Sequence, residues 1–219
     1  MEIEIIKPGY KIETAIDGEA LLKRLEIYGR LSHKSEDKAN EGSAQIFIKK
    51  ILEWGHESIL EHENITIRFI CDRGVTHELV RHRLAAYTQE STRYCNYEHK
   101  IQFIEPIFFK PESEEYALWL KGVQAAAENY SNLLEKGAAP EQARSLLPNS
   151  LKTEIVMTTN LREWRHVFKM RTAIAAHPQI REIMIPLLLE FQKKIPVIFD
   201  DFAVDSSNNT AKIVENRSI

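Results

Sequence analysis

The side chains best suited to chemistry lie between residues 81 and 94, Arg-His-Arg-Leu-Ala-Ala-Tyr-Thr-Gln-Glu-Ser-Thr-Arg-Tyr. Arg81, Arg83 and Arg93 share this stretch with His82, Ser91, Thr92, Tyr87 and Tyr94. A guanidinium offers a planar fork of donors that matches phosphate and carboxylate oxygens. The formal net charge of the whole chain is -3, so this is a local cationic site and not one patch of a basic surface. A small, multiply charged anion is the ligand such a segment expects. The pattern predicts a helix over 74–85, on which Arg81 and Arg83 diverge by roughly 200°. Arg93 then comes from a following loop or turn. Two anionic ligands, such as a nucleotide and a phosphate-bearing cofactor, fit this better than one phosphate. The bland alternative is a solvated basic helix face, as most arginine clusters are.

Other chemistries fail on spacing. His77-Glu-Leu-Val-Arg-His82 is close to the zinc helix His-Glu-x-x-His, with the second histidine one position late. Zinc needs the two imidazoles at i and i+4, and a spacing of i+5 turns them about 140° apart. The segment from His56 to His62 fails the same test in either direction. No metal is expected, and the spacing weakens a zinc hydrolase, which stays as an alternative that zinc content would test. Neither Gly-x-Gly-x-x-Gly nor a phosphate-binding loop is present, so a dinucleotide must be held by side chains and helix ends. Cys71 and Cys95 have no activating base beside them in sequence. A basic face with interleaved aromatics is also the footprint of a nucleic-acid-binding module. The mild acidity of the chain and the lack of a wider basic stripe argue against that reading.

These residues need a scaffold. At 219 residues, 43% hydrophobic and 28% charged, the chain suits one globular domain spanning 1–219, with a helical excursion. No apolar run reaches membrane-spanning length, the start lacks a secretory pattern, and two cysteines make no disulfide scaffold. The expected location is cytoplasmic, with no membrane partner. Strands are expected over 2–6, 63–71, 101–109 (interrupted at Pro106, hence an edge) and 151–159. On 63–71, Ile65, Ile67, Phe69 and Cys71 share one face. Helices are expected over 18–31, 44–54, 112–136, 161–172 and 179–194, with a short one opened by Pro140. Pro111 is expected to open the 112–136 helix, whose apolar face reads Tyr116, Leu118, Leu120, Val123, Ala127, Tyr130 and Leu134. The last fifteen residues turn polar and are expected to fray. Segregated strands and helices give an α+β class, a mixed or antiparallel sheet flanked by helices.

Arg81-His82-Arg83 followed by Ser91 resembles the signature of flavin-dependent thymidylate synthases. Gly55-His56-Glu57-Ser58 with Glu61-His62, Arg73 to Val80, Ala143-Arg144-Ser145-Leu146-Leu147-Pro148, and Thr159-Asn160-Leu161-Arg162 through His166 to Arg171 and His177 are similar to further segments of that family, in order. The chain departs from the family pattern at Ala86 and at Thr88-Gln89. The resemblance implies a cytoplasmic methyltransferase of dTTP biosynthesis. It would convert dUMP to dTMP with methylenetetrahydrofolate and NADPH, giving tetrahydrofolate and NADP, on bound FAD. It also implies a homotetramer with shared sites. For dUMP it points to Glu78, Leu79, Val80, Arg81, Gln89, Glu90, Ser91, Thr92, Arg93, Arg144 and Arg171. Arg93 and Arg144 suit the 5′-phosphate, and Ser91 is read as a phosphate contact more than a nucleophile. Arg171 is the catalytic candidate, stabilising charge on the uracil as N3 loses its proton. For FAD it points to Ser58, Arg81, His82, Arg83, Gln89, Asn160, Leu161, Arg162 and His166. His56 and His177 are second-tier candidates near the flavin or folate, and Tyr94 is a stacking candidate.

Overall fold

Alternation of apolar residues builds the central strands. In the computed structural model, which describes residues 1–214, β1 runs Glu2–Ile6, β2 Gly9–Ile12, β3 Asn64–Asp72, β4 Ala85–Gln89, β5 Lys100–Ile104 and β6 Lys152–Asn160. Ile65, Ile67, Phe69 and Cys71 of β3 are all buried, as period-two patterning requires. β2, β3, β6 and β4 lie side by side in that order. β1 pairs in parallel with β5, from Glu2 opposite Lys100 to Ile6 opposite Ile104. The helices are α1 Gly18–Leu31, α2 Ser43–Glu53, α3 Arg73–Leu79, α4 Glu114–Glu135, α5 Pro140–Ala143, α6 Leu161–Arg171, α7 Pro178–Lys194 and α8 Pro196–Phe199. Short 3-10 turns occur at Glu36–Lys38, Glu57–His62 and Arg144–Leu146. The α+β class stands, with parallel and antiparallel pairings both present.

The chain forms two compact units, each assembled from separated segments. The first comprises Met1–Lys11, Arg68–Arg81 and Tyr87–Met157. Its core packs Ile101, Phe103 and Leu151 on Val123 and Ala127 of α4, with Ile3 and Ile5 against them. The second comprises Ile12–Ile67, His82–Ala86 and the chain from Thr158 onward. Its core holds an aromatic cluster in which Phe168 meets Trp164, Phe191, Phe199 and Phe202 at centroid distances of 5.7, 5.2, 5.7 and 6.4 Å. Trp164 donates its indole N–H to the carbonyl of Ile65. Gly55 and Gly137 follow α2 and α4 at φ of 71° and 89°, the left-handed turn that ends a helix.

Several expectations need correction. The helix expected over 74–85 stops at Leu79, so Arg81, His82 and Arg83 lie on a connecting segment and the helical argument for their divergence does not hold. The Tyr87 hydroxyl takes the Leu79 carbonyl at 2.6 Å, satisfying a helix-end acceptor, and β4 begins six residues on. The expected strand 101–109 ends at Ile104, before Pro106. α4 is capped by the Ser113 side chain rather than opened by Pro111, and Leu118 is 69% exposed, off the buried face. The expected fraying of the last fifteen residues fails in part. β7 (Phe202–Asp205) and β8 (Thr210–Ile213) form an antiparallel hairpin with Phe202 and Ala211 buried. Residues 215–219 lie outside the described residues.

Candidate functional site

In the first unit the dUMP candidates collect around one turn. After β4, the backbone N–H groups of Tyr94 and Cys95 both donate to the Ser91 carbonyl, at 3.2 and 2.9 Å. This turn buries Thr92, whose hydroxyl accepts from Arg144 Nη1 at 3.1 Å. Arg144 opens the 3-10 turn after α5, and Pro140 at the start of α5 sets that short element. Arg93 projects from the same turn, over the Tyr94 ring at 5.3 Å and paired with Glu141 at 2.8 Å. Two guanidinium groups and the Ser91 hydroxyl are thus presented by adjoining elements, a donor set suited to phosphate. The hydroxyl of Ser91 accepts the N–H of Arg93 at 3.2 Å, and no base is bonded to it among the described residues. The nucleophile role stays unsupported.

The other first-unit candidates are more constrained. Glu90 is held by the Tyr97 hydroxyl at 2.8 Å and by Lys152 at 3.1 Å, so its carboxylate is spent on structure. Gln89 donates to the Thr76 and Thr153 hydroxyls, which fixes its amide. Leu79 is fully buried and can reach a ligand only through its backbone. Val80 and Arg81 are exposed at the end of α3, and Glu78 is half-buried.

The second unit carries the flavin candidates and Arg171, mostly on α6. Asn160 caps that helix by accepting the Glu163 N–H at 2.9 Å. Glu163 in the first turn and Lys169 and Arg171 in the last complement the helix dipole. Leu161, Trp164, Val167 and Phe168 form the buried stripe. The opposite face, with Arg162, His166 and Lys169, lines a cleft of about 770 Å³, together with Asn160, Leu84, Glu57 and Glu61. That volume is in the range of small-molecule sites. Three flavin candidates, Asn160, Arg162 and His166, are brought together here. The cations and the helix N-terminus match the diphosphate of a dinucleotide without a glycine-rich loop. Leu84, 73% exposed, offers an apolar wall. Arg162 is now paired with Glu61 at 2.5 Å and would have to exchange that exposed partner for a ligand.

Leu161 is buried with its N–H on the Glu63 carbonyl, so neither group is left for a ligand. Ser58 is exposed on the 3-10 turn whose Glu57 and Glu61 line the cleft. Arg83 is exposed beside Leu84. His56 is exposed against Trp54, and His177 caps α7, so neither second-tier histidine lines this cleft.

His82 is the buried member of the arginine-rich segment. Arg171 Nε donates to its Nε2 at 3.0 Å, and its Nδ1 lies 3.3 Å from Glu163 Oε1. The His166 ring meets it edge-on at 5.5 Å. Burial, then Arg171 and His166, push the His82 pKa from 6.5 down to about 4. Burial raises the Glu163 carboxyl above its ordinary value, opposed by His166. A neutral buried imidazole has a stability consequence. Between about pH 4 and 6.5 the unfolded chain binds the proton and the folded one does not. The His82 contribution to stability therefore falls as pH drops through that window, by about 3 kcal/mol when complete. The raised Glu163 carboxyl, which binds its proton more readily in the folded chain, acts in the opposite sense. His82→Gln is expected to flatten the curve there, measured by urea unfolding across pH. An unchanged slope would refute the assignment.

Sequence reasoning missed Glu163, Arg165 and Lys169. The signal was present: Glu163-x-x-His166 puts a carboxylate and an imidazole on one helical face, and Arg162, Arg165 and Lys169 follow at helical intervals. Arg165 is anchored to both oxygens of Asp201, at 2.8 and 2.6 Å, and to the Ile198 carbonyl. His82, Glu163 and His166 could each offer a metal-ligand atom within 4.8 Å of the others. His82 does not suit that role, because both its ring nitrogens are engaged and a guanidinium adjoins it.

The chain has relatives among known proteins. Residues 19–197 match the family model described as thymidylate synthase complementing protein. A flavin-dependent thymidylate synthase of Pyrococcus abyssi is 40% identical over 167 residues, covering 74% of this chain and 68% of that protein. One from Mycolicibacterium vanbaalenii is 32% identical over 215 residues, covering 90% and 85%. The crystal structure of a UMP/dUMP methylase, PolB from Streptomyces cacaoi, bound with 5-Br dUMP, superposes with a TM-score of 0.72 at 24% identity. It covers 90% of this chain and 95% of that one, and shows a shared fold. With the family model spanning most of the sequence and relatives this similar, the chain belongs to the flavin-dependent thymidylate synthase family.

Proposed function

We propose that this chain binds FAD and carries out the reductive methylation of dUMP to dTMP, with methylenetetrahydrofolate as carbon donor and NADPH as reductant. The observation that carries the reading is α6. Asn160, Arg162 and His166 line its cleft, and Arg171 is held at its far end by His82. Bound FAD would supply hydride transfer, which no amino-acid side chain performs. The protein's own work is to bind and polarise. Arg93 and Arg144 hold the dUMP phosphate, with Ser91 and backbone amides completing the shell. Asn160 gives its amide nitrogen, its oxygen being used by the cap, and Arg162 and Lys169 meet the FAD diphosphate. Arg171 stabilises the uracil as N3 is deprotonated and carbon 5 becomes nucleophilic.

The test is direct. Protein denatured after purification should release FAD, and the holoprotein should form dTMP from the three substrates. Colourless protein that cannot be reconstituted with FAD, yet carries stoichiometric zinc, would sink the reading.

Arg93→Ala is expected to weaken dUMP binding about ten- to a hundredfold, the loss of a charge-assisted hydrogen bond. Its pair with Glu141 is half exposed, 56% and 47%, so phosphate can displace it at little cost. The phosphate contact exists in ground and transition states alike, so saturating dUMP should restore turnover. Titration of dUMP affinity checks the first part and saturated rates the second.

We also propose that residues 1–219 work as one functional domain within a homotetramer, in the cytoplasm. The large exposed side chains of Leu84, Tyr94, Met170 and Ile174, beside the candidate residues, support completion of the sites by other copies. Cys71 and Cys95 are unpaired, as suits a reducing compartment. No helix among the described residues is long and apolar enough to cross a membrane. Light scattering at micromolar concentration should show four chains. A fully active monomer would refute shared sites.

A further inference from the structure

We propose that Glu163 is a positioning residue: through His82 it fixes the tautomer that accepts a hydrogen bond from Arg171, and so aims that guanidinium for reaction. The inference rests on the reading of Arg171 given above and supplies the device that holds it.

Proton counting carries the argument. Arg171 Nε has one hydrogen and donates it to His82 Nε2 at 3.0 Å. A guanidinium accepts no hydrogen bond. Nε2 must therefore be unprotonated, and a neutral imidazole then carries its hydrogen on Nδ1. That hydrogen faces Glu163 Oε1, 3.3 Å away, an acceptor. In the opposite tautomer two N–H groups would meet between His82 and Arg171, and the Nδ1 lone pair would face a carboxylate. His82 is 5% and Glu163 8% exposed, so water cannot easily repair the mismatch. An imidazolium would also present N–H to Arg171. The low pKa of His82, set by burial and by Arg171 and His166, keeps that form away at neutral pH.

The geometry joins two ends of one rigid element. Glu163 sits in the first turn of α6 and Arg171 is its last residue, a rise of about 12 Å along the axis. The imidazole bridges that gap from the segment between α3 and β4. Glu163 itself is anchored through its backbone by the Asn160 cap. A side chain of this length needs such support to hold one direction.

Two readouts test the proposal. The first is heteronuclear NMR of the histidine ring nitrogens in the holoprotein, with His82 assigned by its absence in His82→Gln. Wild type should show the Nδ1–H form near neutral pH. Glu163→Ala should move the population toward Nε2–H, whereas Glu163→Gln should keep Nδ1–H because its amide oxygen still accepts. The second is dTMP formation at saturating dUMP. Glu163→Ala should lose about ten- to a hundredfold in kcat, with little change in KM, and Glu163→Gln should retain most of the rate. In an Arg171→Ala background, Glu163→Ala should cost nothing further, since it acts through Arg171. Equal losses in both backgrounds would mark a merely structural role and overturn the proposal. So would an Nε2–H tautomer in the wild type, or an Glu163→Ala enzyme at full rate. If the wild type makes no dTMP, the functional reading fails instead. The tautomer change between wild type and Glu163→Ala then still decides whether Glu163 sets the imidazole.

Discussion

Arg171→Ala is expected to lower dTMP formation at saturating dUMP by about a hundred- to a thousandfold, the usual cost of removing a preorganised group that faces developing charge. dUMP affinity should fall far less, because the partner charge grows only as the uracil ionises. NADPH oxidation by the flavin should survive, since that half of the reaction needs no uracil anion. The contrast with Arg93→Ala is the point: one arginine acts on binding, the other on turnover. The measurements are a dUMP titration and a saturated rate for each variant. An Arg171→Ala enzyme that forms dTMP normally once dUMP saturates would make Arg171 a binding residue.

The largest expected effect on stability is at Phe168. It is fully buried and touches four other aromatic rings. Phe168→Ala is expected to cost about 3–5 kcal/mol, from lost transfer energy and an unfilled cavity. Phe168→Leu should cost distinctly less, because most of the volume remains. Urea midpoints at fixed protein concentration give both values. Equal, small losses for the two variants would mean that the cluster relaxes around the gap. Phe168 lies on the face of α6 opposite the cleft, so lost activity in these variants should track lost folded protein.

What the sequence made legible follows from local physics. β3 could be read because its buried face alternates without interruption from Ile65 to Cys71. α6 could be read from the Asn160 cap and the apolar stripe at Leu161, Trp164, Val167 and Phe168. The end of α3 could not, because a hydrogen bond from Tyr87 helps to set it and Arg81-His82-Arg83 contains nothing that opposes a helix. β4, Ala-Ala-Tyr-Thr-Gln, carries no apolar alternation of its own. The terminal hairpin looked polar, yet its turn was written in Asp205-Ser-Ser-Asn. Asp205 accepts the N–H groups of Ser207 and Asn208 in an Asx turn. At the site, the arginines were visible as types. The pairing of His82 with Glu163 spans 81 positions and had no local trace. The Ser91–Arg93 turn and Arg144 were paired through the family pattern, and the Thr92–Arg144 contact supplies the physical link.

The interrupted layout of the second unit bears on how the protein is made. Its first long segment, through Ile67, leaves the ribosome with α1 and α2 complete and with Leu21, Leu25, Ile48 and Ile51 in need of cover. Part of that cover is α8, which packs on α2 and is synthesised more than a hundred residues later. The aromatic cluster lies entirely downstream of Thr158. The nascent chain therefore carries these apolar helices without that cover until α8 has been made, a period in which chaperone capture competes with aggregation. A chain cut short before α7 would keep Trp164 and Phe168 and lose the Phe191, Phe199 and Phe202 rings that pack on them. Loss of the stretch from α7 onward, far from the arginine-rich segment in sequence, would strip α6 of the packing that holds Arg171 and His166 in place.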